Sequence, residues 1–178
     1  GGCLEGDALI KALLVMNEKK AKLVTYDTMD EDDVVFGAGL GCNGIIQVLI
    51  EPVDVNEPYH PIVFLKKAAE QRQHSVLVTL FDLSNRKNEQ PGTCLFLGNK
   101  NGPWHQQPVL HDLLLADCNL ALQEKKSSFK NYISNKHNLT AFIEVLNPTA
   151  SLVIFGAGND VVPLVQMAQV LGWQTTVA

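Results

Sequence analysis

Basic residues are scarce in this chain. Fourteen Lys and Arg stand against 19 Asp and Glu, giving a net charge of −5. That balance argues against a non-specific nucleic-acid binder, which carries a basic stripe. Long apolar runs are lacking as well. None approaches the roughly 18 residues that a membrane helix needs, so no membrane partner is expected. No secretory signal pattern opens the chain. Cysteine is sparse: Cys3, Cys42, Cys94 and Cys118 are scattered, with no C-x-x-C pair. Such spacing does not point to a metal site. Few, dispersed thiols fit a reducing compartment, and the expected location is cytoplasmic. Without a secretory signal, the acceptor pattern Asn138-Leu139-Thr140 is read as chance.

What is present is ordinary globular material: 178 residues, 46% apolar and 19% charged. A domain of this length buries about 70% of the surface its unfolded chain exposes, so it needs no staples. One large domain or two small ones fit. The chain opens on "GGCLEGD" and stops at "WQTTVA" within what reads as a strand. Both ends predict a fragment of a longer protein.

Periodicity predicts a helix over 6–19, with Asp7 as its N-cap and Leu9, Ile10, Leu13, Leu14 and Met16 at helical spacing. Strands are expected at 22–27, 44–52, 74–83, 94–98, 129–134 and 139–146, and helices at 60–73 and 109–125. The acidic stretch 27–33, the turn-rich 85–93 and "NKNGPWHQQP" (99–108) read as loops. The strands at 74–83 and 94–98 suggest a hairpin. Helices and strands mix throughout, so the class is α/β. A domain boundary is expected near 147–150, which divides the chain into 1–147 and 151–178.

The tetrapeptide Phe-Gly-Ala-Gly occurs twice, in "FGAGLGCNGII" (36–46) and "FGAGNDVVPLV" (155–165). The second copy follows "SLVIF", which reads as a buried parallel strand. It precedes a helix over 160–171 that reads as buried through Val161, Leu164, Val165, Ala168, Val170 and Leu171. Gly172 is its expected C-cap and "WQTTV" the next strand. This is a Rossmann-like βαβ unit. Gly156 and Gly158 make a turn that brings backbone N–H groups towards a pyrophosphate, next to Asn159 and Asp160. Val161 replaces the third glycine of the dinucleotide fingerprint. Pro163 is tolerated in the first helical turn, and Asp160 is able to cap the helix but repels a phosphate.

The first copy precedes a strand and so offers no helix N-terminus. Its glycines form a loop able to wrap a ligand, with Cys42 and Asn43 at its centre. The alternative is a bulged loop with Cys42 as a small buried hydrophobe. The segment "GGCLEGD" likewise sets a cysteine among glycines at a helix entrance, which favours thiolate. Glu5, Asp7 and Glu51 add carboxylates, and the two clusters are candidates to converge. His60, His74, His105, His111 and His137 are dispersed and read as surface or capping residues, His105 having the most loop-like setting.

Three stretches in order, "GGCLEGDAL", "GLGCNGIIQVLIEP" and "LVIFGAGNDVVPLVQMAQVLGWQTTV", closely resemble the XdhC/CoxI family, accessory proteins of xanthine dehydrogenase and related molybdenum hydroxylases. The region 53–138 contributes little to the likeness. The resemblance implies an N-terminal XdhC/CoxI-type domain of mixed α/β structure and a C-terminal Rossmann-like domain, here truncated. It also implies a binding protein that holds molybdenum cofactor (molybdopterin), supports its sulfuration and passes it to an apo molybdenum hydroxylase. A cysteine desulfurase is a further implied partner, and a homodimer the implied assembly. Gly2, Cys3, Glu5 and Asp7 match the first motif. Gly39, Gly41, Cys42, Asn43, Gly44 and Glu51 match the second, and Gly156, Gly158 and Pro163 the third. Many relatives carry histidine where Asn159 stands. An NAD(P)-dependent oxidoreductase is the competing expectation, and an interaction scaffold that uses the acidic run is a third.

Overall fold

The structure, a computed structural model, describes residues 3–27, 44–98, 104–134 and 137–178, without the side chains of Cys3, Trp104 and His105. The acidic run beyond Asp27 and the loop "FGAGLGCN" lie outside the described residues.

Helix α1 runs from Cys3 to Glu18. It starts three residues before the expected boundary, so Asp7 is not its N-cap but lies in its second turn. Its large apolar side chains are not core either. Leu9, Ile10, Leu13 and Met16 are all about 60% exposed, and only Val15 is fully buried. A long antiparallel hairpin follows, β1 (Lys22–Asp27) with β2 (Ile45–Ile50), paired from Lys22↔Ile50 to Asp27↔Ile45.

Next come α2 (Pro61–Glu70), β3 (Ser75–Phe81), β4 (Gly92–Leu97), the short β5 (Trp104–His105), a 3-10 turn (Pro108–Leu110), α3 (His111–Glu124), β6 (Ser128–Ser134) and β7 (His137–Leu146). The five strands form one antiparallel sheet in the order β5-β4-β3-β7-β6. The expected hairpin is β3–β4. His105, expected in a loop, is instead in β5, because β4 would otherwise be an open edge there: Leu95 pairs with His105 and Phe96 with Trp104.

Alternation along the strands decides which side is buried. Val76, Val78 and Leu80 of β3 and Leu139, Ala141, Ile143 and Val145 of β7 form the main core with Leu114, Cys118 and Ala121 of α3. The opposite face is only partly covered. Phe64 and Ala68 of α2 pack there on Leu77 and Phe96, with the rings of Phe64 and Phe96 stacked at 4.9 Å.

The C-terminal unit is β8 (Ser151–Ile154), α4 (Val161–Val170) and β9 (Gln174–Val177), with β8 and β9 parallel. Parallel pairing appears here alone among the described strands, as the strand-turn-helix-strand pattern requires. Gly172 adopts φ +70° just past the helix, as a C-terminal glycine should. The expectation that this strand and helix are buried is not met. Ala168 is buried, but Val170 is 88% exposed and Val153 is 51% exposed. Two strands and one helix have only one face in common, so the outer faces of both stay open. The fold is α/β.

Candidate functional site

The first helix is fastened to the hairpin by a small polar cluster. Tyr26 Oη donates to Asp7 Oδ2 at 2.8 Å, and Lys11 Nζ lies 2.7 Å from the same oxygen. The Lys11 ammonium also lies 4.8 Å from the centre of the Tyr26 ring. Lys11, then the Tyr26 hydroxyl, holds the Asp7 carboxyl below its ordinary range. Burial, helped by Asp7, pushes the Tyr26 phenol up to about 12.

A second fastening joins the β3–β4 loop to the start of β1. Asp82 Oδ1 accepts from the N–H groups of Ser84 and Asn85, closing an Asx-type turn. The buried Gln90 side chain fills the loop centre, accepting from Asp82 N and donating to the carbonyls of Asn85 and Asn88. Its own backbone N–H reaches Ala21 O at 2.9 Å. Arg86 is steadied by Nε–H donation to Leu83 O at 3.0 Å, and its Nη1 extends to Thr25 Oγ1 at 3.4 Å.

Between these fastenings lies a cleft of about 550 Å³, a size typical of small-ligand sites. Leu14 and Val15 of α1 and Leu23 and Val24 of β1 supply apolar lining. Lys11, Lys22, Arg86 and Lys87 are the charged residues around it, and no carboxylate among the described residues lines it. Lys22 is also paired with Glu18 at 2.6 Å. Sequence reasoning passed over these cations. The Arg-Lys pair at 86–87 was a weak signal, since basic pairs also stand at 19–20, 66–67 and 125–126.

The residues singled out from the sequence fall into separate places. Gly2, Gly39, Gly41, Cys42 and Asn43 lie outside the described residues. Cys3 is the first residue of α1, and Glu5 is exposed in its first turn. Asp7, through Tyr26, lies at the end of the hairpin where Asp27 pairs with Ile45. Gly44 immediately precedes Ile45, so Asp7 and Gly44, one from each glycine-cysteine motif, come to the same end of one hairpin.

Glu51 does not join them. It follows Ile50, at the other end of β2 and on the order of 16 Å along the strand from the Tyr26 pair. There its carboxylate accepts from Thr93 N at 2.8 Å and Thr93 Oγ1 at 3.1 Å, bracing the hairpin against β4. Gly92, at φ +72°, permits that approach, since a Cβ there would lie 2.7 Å from Glu51 Oε2. Beside this brace is a cavity of about 240 Å³ lined by Lys19, Asp54, His60 and Glu89, among others. His60 Nδ1 is buried with no hydrogen-bond partner among the described residues.

The C-terminal turn has the expected backbone, with Gly156 at φ +120° between β8 and α4. Pro163 lies in the first turn of α4. Asn159 and Asp160 are exposed at the helix entrance. Asp160 precedes the helix but makes no side-chain cap. Its Oδ1 leans over Gly158, 2.5 Å from where a Cβ would stand. A carboxylate thus stands beside the glycine turn, where its charge would repel a phosphate.

Cys94 and Cys118 are free thiols buried in the main core. Burial pushes each up to about 12, so neither is a thiolate near neutrality. Among the described residues no group of His, Cys, Asp and Glu converges to hold a metal ion, and no helix is long and apolar enough to cross a membrane.

With the geometry in hand, comparison with known proteins is informative. No protein-family model matches the chain. It is 29% identical over 178 residues to a Bacillus subtilis (strain 168) protein described as a probable subunit of xanthine dehydrogenase, spanning 99% of this chain and 48% of that protein. A crystal structure of a xanthine dehydrogenase from Bacillus halodurans matches with a TM-score of 0.66 and 31% identity, over 99% of this chain and 47% of that one. The chain therefore spans about half the length of these relatives, and it is related to proteins described as xanthine dehydrogenases.

Proposed function

We propose that this chain is part of an accessory protein of the XdhC/CoxI type, which binds molybdenum cofactor, supports its sulfuration and hands it to a xanthine dehydrogenase-type hydroxylase. In this reading residues 1–147 are the XdhC/CoxI-type domain and 151–178 begin a Rossmann-like one. The observation that carries it is similarity along 99% of the chain to a probable subunit of xanthine dehydrogenase. The meeting of Asp7 and Gly44 at one hairpin end supports it, because each is a described member of one of the two motifs.

Molybdenum cofactor joins a pterin ring system to a phosphate. The cationic cleft supports this reading, since Arg86 and Lys87 suit an anion and Leu14 and Leu23 suit a ring. When bound, the cofactor supplies the metal-sulfur centre that the client enzyme needs. This chain's residues bind and orient it and screen it from water. Cys42, in its glycine setting, is our candidate for the thiol that touches or relays sulfur, next to a cysteine desulfurase as donor. A homodimer in the cytoplasm is part of the same proposal. The competing dinucleotide oxidoreductase is less well supported, since Val161 replaces the third glycine of the fingerprint and the Asp160 carboxylate beside the turn repels a phosphate.

The test is direct. The full chain, purified and denatured, should release a pterin detectable by its fluorescence after oxidation. Release of nicotinamide with no pterin would favour the oxidoreductase instead. The Cys42→Ser variant should retain less pterin or activate the apo-hydroxylase less. Unchanged retention and activation would remove Cys42 from the proposal.

A further inference from the structure

We infer that the cleft between α1, β1 and the β3–β4 loop is a binding site for small organic anions with a flat apolar body, phosphorylated heterocycles in particular. It deepens the reading above, on which it rests for the use of this cleft, by naming the ligand class that the cleft selects.

Three features carry it. The first is charge placed against the trend of the molecule. A chain of net charge −5 gathers Lys11, Lys22, Arg86 and Lys87 around one cavity, lined by no carboxylate among the described residues. Asp7 and Glu18 pair with Lys11 and Lys22 from outside the lining, whereas Arg86 and Lys87 of these four have no ion pair among the described residues.

The second feature is preorganisation. The loop bearing Arg86 and Lys87 is held by the Asp82 and Gln90 bonds and tied to Ala21, so the cations are presented by a braced backbone. Arg86 is further fixed through Leu83 O and Thr25 Oγ1. Ordering that a ligand does not have to impose is affinity retained. The guanidinium keeps N–H groups beyond Nε and Nη1 for a phosphate, which it can grip in bidentate fashion.

The third is the apolar lining. Leu14 is half-exposed beside the buried Val15, and Leu23 and Val24 continue the surface along β1. Apolar walls with a few convergent polar groups are the usual make-up of a small-molecule site. A bare inorganic anion would leave these walls wet, whereas a ring would cover them.

Flavin mononucleotide and riboflavin form a matched pair of probes, the same ring with and without a phosphate. Titration calorimetry on the full chain at low salt should show flavin mononucleotide binding about tenfold or more tighter than riboflavin. The double variant Arg86→Gln/Lys87→Gln should lose that advantage and its salt dependence while still unfolding in one cooperative thermal transition. Leu14→Asp should weaken both probes. The inference is overturned if neither probe binds, if both bind equally, or if the double variant binds flavin mononucleotide as the parent does. Pterin recovery from the purified protein is a separate readout, so failure here and failure of the accessory-protein reading are told apart.

Discussion

Gly92 shows how a single residue carries a long-range contact. Its positive φ and its missing Cβ together let Glu51 reach Thr93 and lock the first hairpin to the central sheet. Gly92→Ala should destabilise the protein by about 1–2 kcal/mol, read from the urea midpoint. Adding Glu51→Ala removes the clash but not the backbone strain, so the double variant should not recover. Full recovery would mean that the glycine serves the carboxylate only. Glu51 was picked out from the sequence as a ligand-facing carboxylate at a strand end. Its position was legible there, but its partner was not, because Thr93 lies 42 residues away. The cysteines separate on the same principle. Cys94 and Cys118, buried and with thiols raised to about 12, should react with a thiol reagent only as the fold opens. Fast labelling of either in Cys94→Ser or Cys118→Ser backgrounds, well below the unfolding transition, would contradict their placement.

At the scale of elements, α3 and β6 are joined by Asp117, which accepts from Lys130 Nζ and Tyr132 Oη. Burial alone would raise the Asp117 carboxyl, but Lys130 and Tyr132 outweigh it and hold it below its ordinary value. A depressed carboxyl contributes stability that is fully present above the unfolded-state value near 4 and is lost as pH falls through the folded one. Asp7 acts in the same direction. Denaturation midpoints should therefore drop as pH falls below about 4, and Asp117→Asn should flatten that drop while lowering stability at pH 6. An identical slope in the variant would assign the acid sensitivity elsewhere. The same tie raises the Tyr132 phenol, through burial first and the Asp117 carboxylate second. The elements themselves were largely legible, since hydrophobic period and turn residues are local signals. The helix at the start was found from its apolar spacing, and the fold leaves most of those apolar side chains exposed. Periodicity tells which residues share a side, not whether anything covers it.

At the scale of the whole molecule, a mixed architecture places an antiparallel sheet and a small parallel βαβ unit in one chain. The chain covers about half of its relatives' length, and several apolar faces remain open on α1, β8 and α4. Net negative charge and one cationic cleft coexist, so ionic strength should affect ligand binding at the cleft far more than it affects stability.

By itself the sequence determined the α/β class, the order of helices and strands, the β3–β4 hairpin and the strand-glycine-helix-strand unit at the C-terminal side. Each rests on neighbours in the chain, through alternation, helical spacing and glycine at positive φ. It also carried the motifs behind the family likeness. Tertiary structure alone decided that Asp7 and Gly44 share a hairpin end and that Glu51 stands apart as a brace. It alone drew Lys11, Lys22, Arg86 and Lys87 from a helix, a strand and a distant loop around one cleft. Those outcomes depend on pairing register and on hydrogen bonds between residues tens of positions apart, such as Gln90 with Ala21. Long-range pairing is set by how whole surfaces pack, and no local pattern in the chain records it.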